Sequence, residues 1–367
     1  MKKVLEILKE FFIDGLSGMA LGLFATLIIG TIFSQLGIYI PGKIGSILYI
    51  MGKVAMILTG AGIGCGVSIK FHASALTTVS SAVAGMVGAY ASALLSIPAA
   101  TEGTSILLGA GLLNGEVAFS GPGEPLGAFL AAITAIYIGR AVSGKTNFDI
   151  ILTPLACIVS GCTVGLLIGP VISRFMSKIG ELIIYGTNQA PFFMGIIVSV
   201  VMGMCLTLPI SSAALGVILG LSGTAAGAAT VGCCANMIGF AVASFQDNHF
   251  NGLFAQGIGT SMLQMSNIVK KPIIWLPAIL TSAIMGPIST MVFHFQNNAS
   301  GSGMGTAGLI GPINAYQTLV ANGTDPFWSF IQVVLLCFIL PGILSYGFSL
   351  AMRKLNLIKP GDMRLDS

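Results

Sequence analysis

Between Glu181 and Asp247 the chain reads LIIYGTNQAPFFMGIIVSVVMGMCLTLPISSAALGVILGLSGTAAGAATVGCCANMIGFAVASFQ, residues 182–246, without one Asp, Glu, Lys or Arg. A membrane-spanning helix takes about 20 apolar residues, so this stretch must fold back more than once inside a bilayer. Further charge-free runs cover 15–42, 73–101, 150–173, 272–324 (interrupted only by His294) and 326–352. The whole chain is 55% hydrophobic and 8% charged, against about 25% charged residues in soluble domains. It cannot wet its own surface, which excludes a soluble enzyme or a nucleic-acid-binding protein. The expectation is an all-α polytopic membrane protein with the lipid bilayer as its solvent.

Partitioning the runs predicts about ten crossings, near 16–36, 44–66, 74–97, 125–139, 150–173, 191–209, 211–232, 234–246, 272–295 and 327–352. The stretches 125–139 and 234–246 are short for a span. Segments 103–122, 253–266 and 300–320 are apolar, rich in glycine and too broken for confident helices, so re-entrant hairpins or half-helices belong among these five. Irregular backbone survives at membrane depth only when buried in protein or lining a wet cavity. Three Gly-Pro pairs, at 169–170, 286–287 and 311–312, hint at recurring helix breaks.

Lys and Arg placement sets the orientation. With the N-terminus inside, Lys2, Lys3, Lys9, Lys70, Arg140, Lys145, Lys270, Lys271, Arg353, Lys354, Lys359 and Arg364 share one face, and Lys43, Arg174 and Lys178 the other. Both termini are therefore expected in the cytoplasm. Residues 1–14 read as an amphipathic helix on the inner surface, 15–352 as one transmembrane domain and 353–367 as a cytoplasmic tail. The apolar stretch up to residue 36 is too long for a cleaved signal.

Two phosphate-binding patterns occur. Gly139-Arg-Ala-Val-Ser-Gly-Lys-Thr146 matches a phosphate loop, and Gly303-Met-Gly-Thr-Ala-Gly308 a dinucleotide fingerprint. Both need an α/β frame with a strand before the loop, and neither finds one between apolar spans. The seven cysteines lie in apolar segments without zinc-ligand spacing, so no metal or other cofactor is expected. Asn298-Ala-Ser and Asn322-Gly-Thr read as polar external loops. The small residues Ala213, Gly216, Gly220, Gly223, Gly227 and Gly232 read as a tight helix contact.

Carboxylates in the membrane are costly unless paired, hydrogen-bonded or wet, so their positions are informative. Glu102, Glu116 and Glu124 share the broken stretch 101–125, with Asn114 between them. On a non-helical hairpin, Glu116 and Glu124 suit the acceptance of hydrogen bonds from sugar hydroxyls, with Asn114 beside them. Asn236 in mid-run, and Gln256, Thr260 and Ser261 in a second broken segment, form another candidate polar wall. Neutral amides and hydroxyls fit a sugar or another small polar solute better than an ion.

Five stretches carry a family resemblance: Gly-Pro-Gly-Glu-Pro-Leu-Gly-Ala-Phe (121–129), Met-Gly-Ile-Ile-Val-Ser-Val-Val-Met-Gly-Met (194–204), Leu-Pro-Ile-Ser-Ser-Ala-Ala (208–214), Ala-Ala-Thr-Val-Gly-Cys-Cys-Ala (228–235) and Gly-Ser-Gly-Met-Gly-Thr (301–306). The chain resembles the membrane-embedded EIIC-like family of the bacterial phosphotransferase system, in the branch that includes the perfringolysin-type toxin-gene regulator. The resemblance implies a multi-pass bacterial inner-membrane permease, homodimeric, that binds a sugar-like solute and passes it inward by alternating access. Phosphorylation would come from separate EIIB and EIIA proteins, because the chain carries no counterpart of their phosphoryl-bearing domains. Sugar-transporting EIIC proteins hold substrate hydroxyls with a Glu followed by Pro in a re-entrant hairpin, and Glu124-Pro125 is the only Glu-Pro here. Two other readings remain open: a membrane sensor that binds a ligand without moving it, and a secondary carrier that captures a small anion at Gly301–Gly308.

Overall fold

The computed structural model describes residues 10–95, 106–108, 117–119, 123–145, 148–187 and 189–365. These are helical almost throughout, as a chain with lipid for solvent requires. The all-α expectation is met, with one short exception. Strands β1 (Ile106–Leu108) and β2 (Val117–Phe119) pair in parallel, Ile106 beside Val117. They fall in the stretch too broken for a helix, where backbone groups must find partners in another way. The chain divides into two compact units, Met1–Phe175 and Met176–Ser367.

In the first unit α1 (Glu10–Tyr39) is followed by α2 (Lys43–Ile57), α3 (Thr59–Lys70), α4 (Ala75–Ala89) and α5 (Ala91–Leu95). After the strands come α6 (Pro125–Val142) and α7 (Asp149–Thr187), whose residues from Met176 on belong to the second unit. Glu10 to Asp14 lie in the opening turns of α1, and residues 1–9 lie outside the described residues. Glycine lets these helices touch backbone to backbone: a Cβ on Gly22 of α1 would meet the Gly62 carbonyl oxygen of α3 at 2.3 Å. One on Gly88 of α4 would meet that of Gly127 in α6 at 2.4 Å. The abundance of glycine is thereby explained by close helix packing.

Helix α6 runs through Gly139 to Val142, so a helix and not a strand precedes the phosphate-loop match. Arg140 instead clamps the unit. It pairs with Glu10 at 2.5 Å, donates to the Phe71 carbonyl and lies over the Phe71 ring, 5.1 Å from its centroid. Tyr137 adds a hydroxyl donor to Glu10 at 3.2 Å. Gly144, at φ +74°, donates its N–H to Asp149, closing a short turn into α7.

The second unit holds α8 (Pro191–Thr207), α9 (Ser212–Ile218), α10 (Gly223–Ala243) and α11 (Phe245–Phe254). A wide π-turn (Ala255–Gly259), extended Thr260 and a tight 3-10 turn (Ser261–Gln264) lead into α12 (Met265–Lys270). Then follow α13 (Pro272–Val292), the short α14 (Ala299–Ser302), α15 (Ile310–Ala321) and α16 (Pro326–Lys354). The expected crossings 211–232 and 234–246 are corrected here. Positive φ at Gly220 and Gly223 breaks the chain early, and a single helix α10 then passes through Asn236. Gly227 and Gly232 do make the close contact the small-residue spacing predicts: a Cβ on Gly232 would meet the Ser199 carbonyl oxygen of α8 at 1.9 Å. The Gly-Pro pairs do not act alike. Pro170 lies inside α7, Pro287 precedes a π-turn at Ile288–Val292, and Pro312 stands in the first turn of α15.

By length and composition, six helical segments among the described residues suffice to cross a membrane: α1, α6, Asp149–Ile172 of α7, α10, α13 and α16. The pair α2 and α3, bent by 58°, makes a seventh, and α4 and α8 are shorter apolar helices.

Candidate functional site

Two broken segments of the second unit, and the helices beside them, carry buried polar groups. The stretch 294–309 joins α13 to α15 with positive φ at His294, Gly305, Gly308 and Leu309, and residues 301–308 are all buried. Its backbone is satisfied by side chains. Asn298 accepts from the Gly301 N–H at 2.9 Å, and Ser212 donates to the Gly303 carbonyl at 2.7 Å. Asn297, 1% exposed, donates to Thr230 at 2.7 Å and to the Gly311 carbonyl at 3.1 Å. Asn298, half-buried, is bonded also to Asn314. These side chains supply what the missing helix would have supplied.

The other broken segment, 255–264, meets α8 and α10 through Ser261. Its hydroxyl lies 2.8 Å from that of Thr207, which donates to Asn236 Oδ1 at 3.2 Å. Asn236 is fully buried at mid-length of α10. Its Oδ1 also accepts from the Trp275 indole at 2.9 Å, and its Nδ2 donates to the Gly232 carbonyl at 3.2 Å and to Ser282 at 3.1 Å. An amide side chain has two acceptor and two donor positions, and protein fills all four. Asn236 therefore joins α8, α10 and α13 and has no hydrogen bond to spare for a solute.

Gln256, likewise buried, donates to Ser244 at 2.8 Å and to the Gly252 carbonyl at 3.0 Å, and accepts from Gln264 at 2.9 Å. Gln264 accepts in turn from Asn267 at 2.9 Å. Thr260, 5% exposed, caps the tight turn by accepting from the Met262 N–H at 3.2 Å. Three of the four predicted residues of this wall thus fall into two networks, while Thr260 caps the turn beside Ser261. Asn236 and Ser261 share the first, and Gln256 anchors the second. Thr207, Trp275 and Ser282 were not anticipated. The one signal they offer in sequence is a polar atom inside an apolar run.

In the first unit, Glu124 is half-buried just before Pro125 opens α6. Its N–H donates to the Ala89 carbonyl at 2.8 Å, and Gly123 before it takes φ +68° against Ala89. The Glu-Pro step is thus pinned where α4 ends and α6 begins, with a carboxylate at the end of a helix that favours negative charge. Asn114 and Glu116 lie outside the described residues.

One strained residue adjoins the second network. His249 interrupts α11 at φ +50°, ψ −148°, a conformation close to one that only glycine adopts freely. Such strain costs about 1–3 kcal/mol, and glycine returns part of that gain as chain entropy. His249→Gly is therefore expected to raise the unfolding free energy by about 1 kcal/mol, read from thermal unfolding of the purified protein; a loss of stability would show that the ring's edge contact with Phe245 matters more.

The family model described as "Phosphotransferase system, EIIC" matches residues 13–365. A search of curated proteins finds no significant match. With apolar spans, two buried broken segments and a pinned Glu-Pro step all lying inside the matched range, the chain belongs to the EIIC family of the phosphotransferase system.

Proposed function

We propose that this protein is the membrane permease of a phosphotransferase system, binding a sugar or another small polyhydroxy solute and passing it inward by alternating access. Separate EIIB and EIIA proteins phosphorylate the solute. Family membership over residues 13–365 carries this reading. The buried irregular segments support it, because backbone that leaves the helix at membrane depth is the usual material of transport sites.

In this proposal Glu124, with Glu116 and Asn114, accepts and donates hydrogen bonds to solute hydroxyls in the first unit. Gln256, Thr260 and Ser261 are polar groups of the solute's route in the second, and Asn236 braces the helices around them. The chain crosses the bacterial inner membrane several times, with residues 1–14 on the inner surface and both termini in the cytoplasm, and works as a homodimer. The one-sided distribution of Lys and Arg supports the orientation.

The test is uptake of a radiolabelled sugar panel into proteoliposomes, with and without EIIB, EIIA and a phosphoryl donor. Saturable uptake of one sugar that increases with the donor system is expected. No binding or uptake across the panel would overturn the reading, and binding without uptake would make the protein a sensor.

A further inference from the structure

Beyond Lys354 the chain does not trail away. Asn356, at φ +57°, ends α16, and the Leu357 N–H returns to the Met352 carbonyl at 3.0 Å. Residues 358–365 then turn back over the second unit. Ile358 and Met363 are buried, 1% and 0% exposed, in an apolar cluster with Phe240, Ile268, Ile274 and Trp275.

Polar bonds tie the same stretch to two elements. From α11, Asp247 accepts from the Gly361 N–H at 2.9 Å and the Met363 N–H at 3.3 Å, and Asn248 accepts from Leu365 N–H at 2.8 Å. The Met363 carbonyl receives two amide donors at once, Asn248 at 2.7 Å and Gln264 at 2.8 Å. From α12, Asn267 donates to the Arg364 carbonyl at 2.8 Å. Lys271, just past that helix, pairs with Asp362. Burial opposes the charge on Asp362, but the hydrogen bonds from Lys271 and the Lys359 N–H, with both positive charges, outweigh it and hold its carboxyl below the usual aspartate range. That side chain stays ionised at neutral pH.

We propose that residues 355–365 are a latch that holds the broken segment 255–264 in its present conformation. The connection runs through Gln264, whose amide bridges the Met363 carbonyl and Gln256 Oε1, the residue that anchors the π-turn. It runs also through Trp275, which packs in the Met363 cluster and bonds Asn236. Most of the tail's polar bonds go to its backbone, so they hold the tail's conformation more than its side-chain identities. Ordering these residues costs entropy that offsets much of what the bonds contribute, which leaves docking close enough to balance to be reversed. This inference does not rest on the transport reading, since the latch would act equally in a solute sensor.

Hydrogen–deuterium exchange of the protein in nanodiscs tests it, comparing wild type, Asn248→Ala and Lys271→Gln, whose side chains bond the tail and not 255–264. Asn248→Ala is expected to speed exchange at least tenfold in 361–365 and also in 255–264, with α10 unchanged. Lys271→Gln, which removes only the ion pair, should give a smaller rise in the same two segments. Faster exchange in the tail alone would overturn the proposal, as would a rise spread over α10 or no change in either variant; should Asn248→Ala fail to fold, Lys271→Gln decides by the same criteria.

Discussion

Asn236→Ala is expected to cost about 2–4 kcal/mol of stability, measured as the shift in the denaturation midpoint of the purified protein. Hydrogen bonds between membrane helices average roughly 0.6 kcal/mol each with a maximum near 1.7, and Asn236 makes bonds to Thr207, Trp275, Gly232 and Ser282. Its loss also strands the buried Trp275 N–H, whose desolvation is then uncompensated. Solute affinity of the folded fraction should change by less than about threefold, because the amide has no free position to offer. Combining Asn236→Ala with Trp275→Phe should cost clearly less than the sum of the two single changes, since they share one bond. Unaltered stability with collapsed affinity would instead make Asn236 a solute contact.

Glu124→Gln should do the reverse. A hydrogen bond to a charged acceptor contributes about 1.5–3 kcal/mol, so under the proposed function affinity for the solute is expected to fall roughly 10- to 100-fold in equilibrium binding. Stability should change little. The side chain makes no capping bond to α6, and losing a negative charge at a helix N-terminus costs about 0.3–1 kcal/mol. Gln keeps the shape and the backbone bond to Ala89, so unchanged affinity in a folded variant would remove Glu124 from the solute site.

Outcomes this different follow from surroundings that composition does not reveal. Asn236 and Glu124 look alike in sequence, each a polar residue set in an apolar, glycine-rich stretch. Only α10's neighbours show the first to be saturated by protein groups. The break at 253–266 was legible because Gly252, Gly257 and Gly259 interrupt the apolar run, and it lies at the π-turn and Thr260. The boundary placed near residue 233 was not legible. A polar Asn behind two cysteines resembles an interruption, yet a helix carries it when partners on adjacent helices take its hydrogen bonds. The strand pair at 106–108 and 117–119 was hidden for a related reason, since pairing joins residues whose match no local pattern records.

The amino-acid sequence by itself determined the solvent, the class and the family. An 8% share of charged residues leaves lipid as the surroundings, lipid demands helices, and residues 13–365 match the EIIC family. Tertiary structure alone decided which polar groups are spent. It committed Arg140, inside a perfect phosphate-loop match, to Glu10 and Phe71, engaged Asn298 with the Gly301 N–H, filled Asn236, and folded Met363 and Arg364 back onto Gln264 and Asn267. The physical reason is that charge and hydropathy belong to residues, whereas hydrogen-bond capacity left over for a ligand belongs to neighbours brought together by the fold.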